Sequence, residues 1–257
     1  YTMTESEQKK TQEQIDQEVE RILAEAPADG SDFDRALYVY ETLINEVDYV
    51  ENSENNQNII SVFINHERIC QGYAYATQYL LERLGIPCTT VTGNARGESH
   101  AWNLVQMDGE YYYIDTTWGN SQYMYQNEQN GAVSGETGIS KFPDYDYFGA
   151  TTQTILKTHT PDSEIPLPDC TAVEDNYFIH QGLYVESWDV NRIGEMIGNP
   201  YDSGQAAVQI KFSSVELCEQ AMQYFVEDSH LFDYCEEIES VQYLENSENA
   251  VMVLLFP

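Results

Sequence analysis

Between Ser99 and Trp118 lie two segments rich in β-forming residues, broken by the dipeptide Asp108-Gly109. Asp-Gly suits a two-residue type I′ turn, in which both central residues take positive φ. The stretch is therefore predicted to be a hairpin with Met107 opposite Glu110. Counting down the ladder puts Trp102 opposite Asp115 and His100 opposite Thr117. His100 and Asp115 then share one face as diagonal neighbours, roughly 7 Å apart between α-carbons. An imidazole and a carboxylate that lean toward each other meet across that gap. The expectation is that Asp115 accepts the Nδ1 proton of His100 and leaves Nε2 outward as a base.

A helix precedes this hairpin. Tyr73, Ala76, Thr77, Leu80, Leu81 and Leu84 recur at three- and four-residue spacing, Gly85 supplies a left-handed cap, and Pro87 forbids continuation. Cys70 falls in the first turn, where unpaired backbone N–H groups and the positive end of the helix dipole favour thiolate over thiol. Taken alone, Cys70 reads first as a small buried residue. Together, the three side chains supply the nucleophile, base and orienter that acyl transfer through a thioester requires.

The runs Cys70-Gln71-Gly72-Tyr73-Ala74, Ser99-His100-Ala101-Trp102-Asn103 and Tyr113-Ile114-Asp115-Thr116-Thr117-Trp118 resemble, in order, the three blocks of the transglutaminase-like superfamily of papain-like cysteine enzymes. The resemblance runs from about Ser31 to Cys170, and the remainder is similar to the tail of some bacterial members. It implies an α+β fold with a papain-like catalytic core, Cys70 as nucleophile, His100 as base and Asp115 as its orienter. It also implies a protein or peptide substrate and no cofactor. By the same resemblance Gln57, upstream of Cys70, is the candidate oxyanion donor beside the Cys70 backbone N–H, although its spacing from Cys70 is longer than in papain. Trp102 and Trp118 flank the His and Asp and serve as core, as the lining of a substrate groove, or as both. The implied chemistry is thiol-dependent acyl transfer on amide bonds, with peptide hydrolysis ahead of protein-glutamine transamidation. A non-catalytic binding or scaffold protein of the same fold is the reading from a different class.

The calcium dependence of animal transglutaminases does not carry over, because no loop of alternating Asp or Asn with Gly and a terminal Glu is present. No CxxC or Cys/His spacing suggests zinc, so no metal is expected. Eleven Lys and Arg against 44 Asp and Glu give a net charge of −33, which argues against nucleic acid and against an anionic membrane surface. No apolar run approaches the roughly 20 residues of a membrane span. The chain opens at Tyr1 with no initiator Met and no signal pattern. A mature extracellular or cell-surface form with its leader removed is the expectation, with the cytoplasm as the alternative. Of five cysteines, four are available for two disulfides once Cys70 is set aside as a free nucleophile.

Taken in order, apolar stripes predict a packing helix ending near Ala26 and a second one capped by Ser31. Ile59 to Ile64 fits a strand or a short helix, and His66 reads as a surface residue. Cys88 to Thr92 is a predicted strand beside the hairpin. The polar run Gly119 to Lys141 reads as a lid or an insertion. A Pro- and Asp-rich linker sets a boundary between a catalytic domain, 1–168, and a small α+β accessory domain, 169–257. In the latter, Tyr177 to His180 and Leu183 to Glu186 are expected to form a hairpin about Gln181-Gly182. A helix from Asp189, a strand at Ala206 to Phe212, a helix at Val215 to Val226 and a final hairpin follow.

Overall fold

The computed structural model describes residues 4–49, 59–65, 67–68, 70–120, 142–162, 166–236 and 238–257. The chain divides into two compact units, Tyr1–Asp175 and Asn176–Pro257.

The first unit opens with helices α1 (Glu5–Glu25) and α2 (Asp32–Glu46), each started by a capping box, Thr4 with Glu7 and Ser31 with Asp34. The stripe Ile15, Val19 and Ile22 of α1 is buried, and the Tyr38 hydroxyl of α2 donates to the Ile22 carbonyl at 2.9 Å. Residues 59–65 are helical rather than strand-like, with Val62 and Phe63 buried. Helix α3 (Cys70–Arg83) follows, and Gly85 takes φ 82° behind it.

Five antiparallel strands make the sheet: β1 (Cys88–Ala95), β2 (Glu98–Met107), β3 (Glu110–Ile114), β4 (Phe148–Ala150) and β5 (His159–Pro161). Their spatial order is β4-β3-β2-β1-β5, so β2 lies at the centre. Asp108 and Gly109 have φ 48° and 94°, and Met107 pairs with Glu110 as the turn chemistry requires. Helix α2 covers β4 with its aromatic residues: Phe33 and Tyr40 meet the Phe148 ring edge-on at 5.5 and 5.1 Å. Burying each such ring is worth about 2–3 kcal/mol.

The β1–β5 pairing depends on Gly93. A Cβ there would lie 2.2 Å from the Thr160 carbonyl oxygen and 2.9 Å from the Trp102 ring. Gly93→Ala is therefore expected to destabilise the fold by about 1–3 kcal/mol, because backbone and a fully buried indole must both move. Urea denaturation reads this directly, and a loss under half a kcal/mol on the same scale would show that the β1–β5 contact yields at little cost.

Residues 169–175 stay with the first unit although the sequence places them past the linker. Cys170 is held at both backbone groups, its N–H by Thr152 Oγ1 at 2.8 Å and its carbonyl by the Thr152 N–H at 2.9 Å. The Asp175 N–H donates to the Tyr112 hydroxyl at 3.3 Å.

The second unit has a four-stranded sheet of β6 (Tyr184–Val185), β7 (Ala207–Phe212), β8 (Gln242–Asn246) and β9 (Val251–Leu255), in the order β8-β9-β7-β6. Helices α4 (Val190–Asp202), capped by Asp189, and α5 (Val215–Ala221), capped by Ser214, complete it. Tyr177–His180 is a single helical turn and not the first arm of a hairpin, and β6 pairs in parallel with β7 instead. Four residues are too few for periodicity to separate the two states. The turn closes through His180 N–H to the Asn176 carbonyl at 2.8 Å, ends at Gly182 with φ 70°, and buries Phe178. All five cysteines are free thiols, so the two disulfides that the cysteine count allowed are not formed. Among the described residues no helix is long and apolar enough to cross a membrane.

Candidate active site

Cys70 is the first residue of α3 and is half-buried. Four hydrogen bonds fix the helix that carries it. The Asn103 side-chain amide of β2 donates to the Ala74 carbonyl at 2.9 Å, and the Thr77 and Thr116 hydroxyls bond at 2.8 Å. The Tyr73 hydroxyl donates to the Val47 carbonyl at 3.0 Å while accepting from the Asn120 amide at 2.8 Å. Buried polar pairs of this kind set the position of a helix on a sheet more sharply than apolar contact alone, because each is costly to break.

The ladder between β2 and β3 stops at Asn103–Ile114. His100 lies beyond it and pairs with Gly93 of β1, whereas the chain turns away from the sheet at Asp115. Asp115 shapes that turn itself, its Oδ1 accepting the backbone N–H groups of Thr117 at 2.9 Å and Trp118 at 3.2 Å. The turn, and not the predicted diagonal register, brings the carboxylate to His100. The contact is Nε2 to Oδ2 at 2.7 Å, so the predicted tautomer is reversed. Cys70 lies close enough to the His100 ring to act on its pKa. With Nε2 committed to Asp115, Nδ1 is the nitrogen left for the thiol.

Burial works to depress the His100 pKa, but the Asp115 charge and hydrogen bond, and then Cys70, outweigh it and carry it up to about 10. Asp115 is fully buried, which alone would raise its pKa; His100 and then His159 reverse that and hold it well below the usual carboxylate range. Asp115 is thus an anion and His100 an imidazolium at neutral pH.

His159, from β5, went unrecognised in the sequence. Its Nε2 lies 3.0 Å from the same Asp115 Oδ2, and its Nδ1 lies 2.8 Å from the Thr158 hydroxyl. His100, Asp115 and His159 are also close enough together to be considered as metal ligands. The two N···O distances of 2.7 and 3.0 Å are those of hydrogen bonds. The edge of a tetrahedral zinc site with bonds near 2.0–2.1 Å is longer, roughly 3.3 Å, so the trio as it stands fits hydrogen bonding better than a metal.

The two tryptophans enclose these rings. Trp102 stacks on His100 at 6.1 Å with 20° between planes, and Trp118 approaches it at 5.6 Å while its own ring carries the Arg96 guanidinium at 4.8 Å. Both are nearly fully buried, so packing accounts for most of their surface. Gln57, His66 and residues 121–141 of the predicted lid lie outside the described residues.

A cysteine thus stands at a helix start in an α+β unit whose antiparallel sheet presents a histidine to an aspartate. Residues 19–116 match the model of the Transglutaminase-like superfamily. The match ends just past Asp115 and does not reach His159. The kyphoscoliosis peptidase of Mus musculus is 28% identical over 110 residues, covering 37% of this chain and 15% of that protein. The Homo sapiens kyphoscoliosis peptidase is 32% identical over 63 residues, or 20% of this chain and 10% of its own. This chain therefore spans well under a fifth of the length of either curated relative. A solved structure described as a TGase superposes with a TM-score of 0.37 at 22% identity, over 45% of this chain and 34% of that one.

Proposed function

We propose that the first unit is a cysteine hydrolase that cleaves amide bonds in peptides or proteins, with Cys70 as nucleophile, His100 as acid and base, and Asp115 as the orienter of His100. The observation that carries this reading is the Asp115–His100 contact at 2.7 Å on a ring whose pKa the half-buried Cys70 also influences. Cys70 Sγ attacks the amide carbonyl carbon. As the tetrahedral adduct collapses the C–N bond breaks, and His100 Nδ1 gives its proton to the departing amine, leaving a thioester. Water then attacks the thioester carbonyl, His100 Nδ1 takes a proton from it, the C–S bond breaks, and the acid departs as the His100 proton restores the ion pair. Asp115 remains a carboxylate throughout and keeps Nε2 protonated, so that only Nδ1 changes its proton. This chemistry calls for no cofactor.

Hydrolysis is favoured over transfer to an amine by two supports. The curated relatives are named peptidases. The run from Gly119 to Lys141, which follows Trp118 directly, is polar and glycine-containing in sequence, whereas a transferase must keep water from its thioester behind apolar walls. The deciding experiment supplies a glutamine-containing peptide together with a fluorescent primary amine and follows both products. Free acid and ammonia are expected to dominate at low millimolar amine. Predominant amine incorporation would reassign the protein as a transamidating enzyme using the same three residues, and absence of both products together with an uncleaved peptide backbone would favour the scaffold reading.

A further inference from the structure

We propose that His159 is a positioning residue of this site: its Nε2–H, donated to Asp115 Oδ2 beside that of His100, locks the carboxylate in the orientation that holds His100 toward Cys70. The inference rests on the catalytic reading of Cys70, His100 and Asp115.

An ionised carboxylate offers about four acceptor positions. In Asp115 all four are filled, Oδ1 by the Thr117 and Trp118 N–H groups and Oδ2 by His100 and His159. Asp115 has no exposed surface and His159 only 1%. Because a carboxylate only accepts, the His159 nitrogen facing it carries a hydrogen. The other nitrogen is bonded to the Thr158 hydroxyl, which is in turn 3.1 Å from the Tyr147 hydroxyl. The ring is thus fixed at both nitrogens. Its faces are fixed too, by Trp118 at 4.5 Å, Trp102 at 4.8 Å and Tyr147 at 5.3 Å. The strand that delivers it is registered on the partner of the catalytic histidine, since Gly93 of β1 pairs with His100 on one side and Pro161 on the other.

A histidine that only filled space would need neither bond. Without its N–H, Oδ2 would keep an unfilled lone pair in a cage of aromatic rings, and one of the four bonds that hold the carboxylate toward His100 would be gone. It would also take up a proton at higher pH, because one of the groups that hold it ionised has gone. The other charged or titratable groups around it come from several elements. They are His100 on β2, Cys70 of α3 through that ring, Tyr40 of α2, and Asp144 and Asp146 ahead of β4, whose charges reach Tyr40 together with that of Asp115. All remain in place in the variants below.

The test is the pH dependence of Cys70 alkylation by iodoacetamide in the full chain, for the wild type, His159→Phe and His159→Gln, with thermal melts of each. Gln places an N–H donor close to the Nε2 position and Phe does not. His159→Phe is expected to lower the plateau rate about tenfold, as the loss of a supporting hydrogen bond to a ligating or catalytic group commonly does. It should also move the acid limb to higher pH. His159→Gln should stay within about threefold of wild type on the same scale. Equal behaviour of the two variants, whether both normal or both impaired, would overturn the proposal. Nitrogen-detected imidazole spectra of the wild type decide independently of folding: the His159 proton is expected on Nε2, and a bare Nε2 sinks the idea. If wild-type Cys70 itself is inert toward iodoacetamide, it is the catalytic reading that has failed, whereas a reactive Cys70 with an unchanged His159→Phe profile removes only the role of His159.

Discussion

Replacing Asp115 by Asn is expected to lower peptide hydrolysis by about 10⁴-fold, the loss that the equivalent change produces in a serine-protease triad. The geometry gives this substitution two bad choices. With its oxygen toward the Thr117 and Trp118 N–H groups, which Asp115 Oδ1 now accepts at 2.9 and 3.2 Å, the Asn NH₂ faces both imidazoles. His100 must then present a bare Nε2 and carry its proton on Nδ1, so the free imidazole has no lone pair to offer the thiol. Turned the other way, the amide restores the His100 contact but aims NH₂ at two backbone donors and breaks the turn that delivers residue 115. Activity within a few-fold of wild type would show that Asp115 only shapes the turn.

The same change alters how stability depends on pH. His100 titrates at about 10 in the fold against about 6.5 unfolded. A histidine with a raised pKa contributes stability that is fully present below the unfolded value and is lost as pH climbs through the folded one. Wild-type melting temperature should therefore fall between about pH 6.5 and 10, and Asp115→Asn should flatten that decline. The carboxylate acts at the other end, its contribution disappearing only in strong acid because its pKa is depressed. Melts of both proteins across this range check the sign.

The hairpin register, α3 with its Gly85 cap and the Ser31 cap of α2 were legible, because each rests on local chemistry: Asp108-Gly109 in a type I′ turn, apolar residues at helical spacing, Ser three residues before an acid. The meeting of His100 with Asp115 was anticipated from a ladder that in fact ends at Asn103–Ile114, before either residue. What joins them is an Asx-type turn, and once the backbone leaves the strand the choice of ring nitrogen depends on rotamers that no pattern encodes. His159 left still less trace. It lies 44 residues after Asp115 in a three-residue strand between two threonines, too short to show alternation. A histidine among β-forming residues just ahead of the Pro- and Asp-rich linker was the one available sign. The hairpin expected at Tyr177–His180 failed for a similar reason, since Asn176 before it and Gly182 after it serve a helical turn as well as they serve a strand pair.

Treatment of the native protein with limiting iodoacetamide at pH 6 is expected to label Cys70 at least about a hundredfold faster than any other cysteine, a ratio set by access and by thiolate supply. Cys88, Cys170, Cys218 and Cys235 are all buried, whereas Cys70 is half-exposed. Burial also pushes the Cys170 and Cys235 thiols up to about 11, and Cys88 further, so at pH 6 they hold almost no thiolate even when local opening exposes them. Cys70 instead begins a helix of 14 residues, close to an imidazolium that keeps its proton up to about pH 10. Two variants separate the contributions. Replacing His100 by Ala removes the imidazolium but leaves access unchanged, so labelling at pH 6 should collapse while labelling at pH 9 survives. Asp115→Asn, which keeps a ring beside the thiol but disfavours its charge, should fall between the two. Preferential labelling of a buried cysteine, or a Cys70 rate that ignores the loss of His100, would mean that the thiol and the imidazole do not act together, and the nucleophile assignment would fall with it.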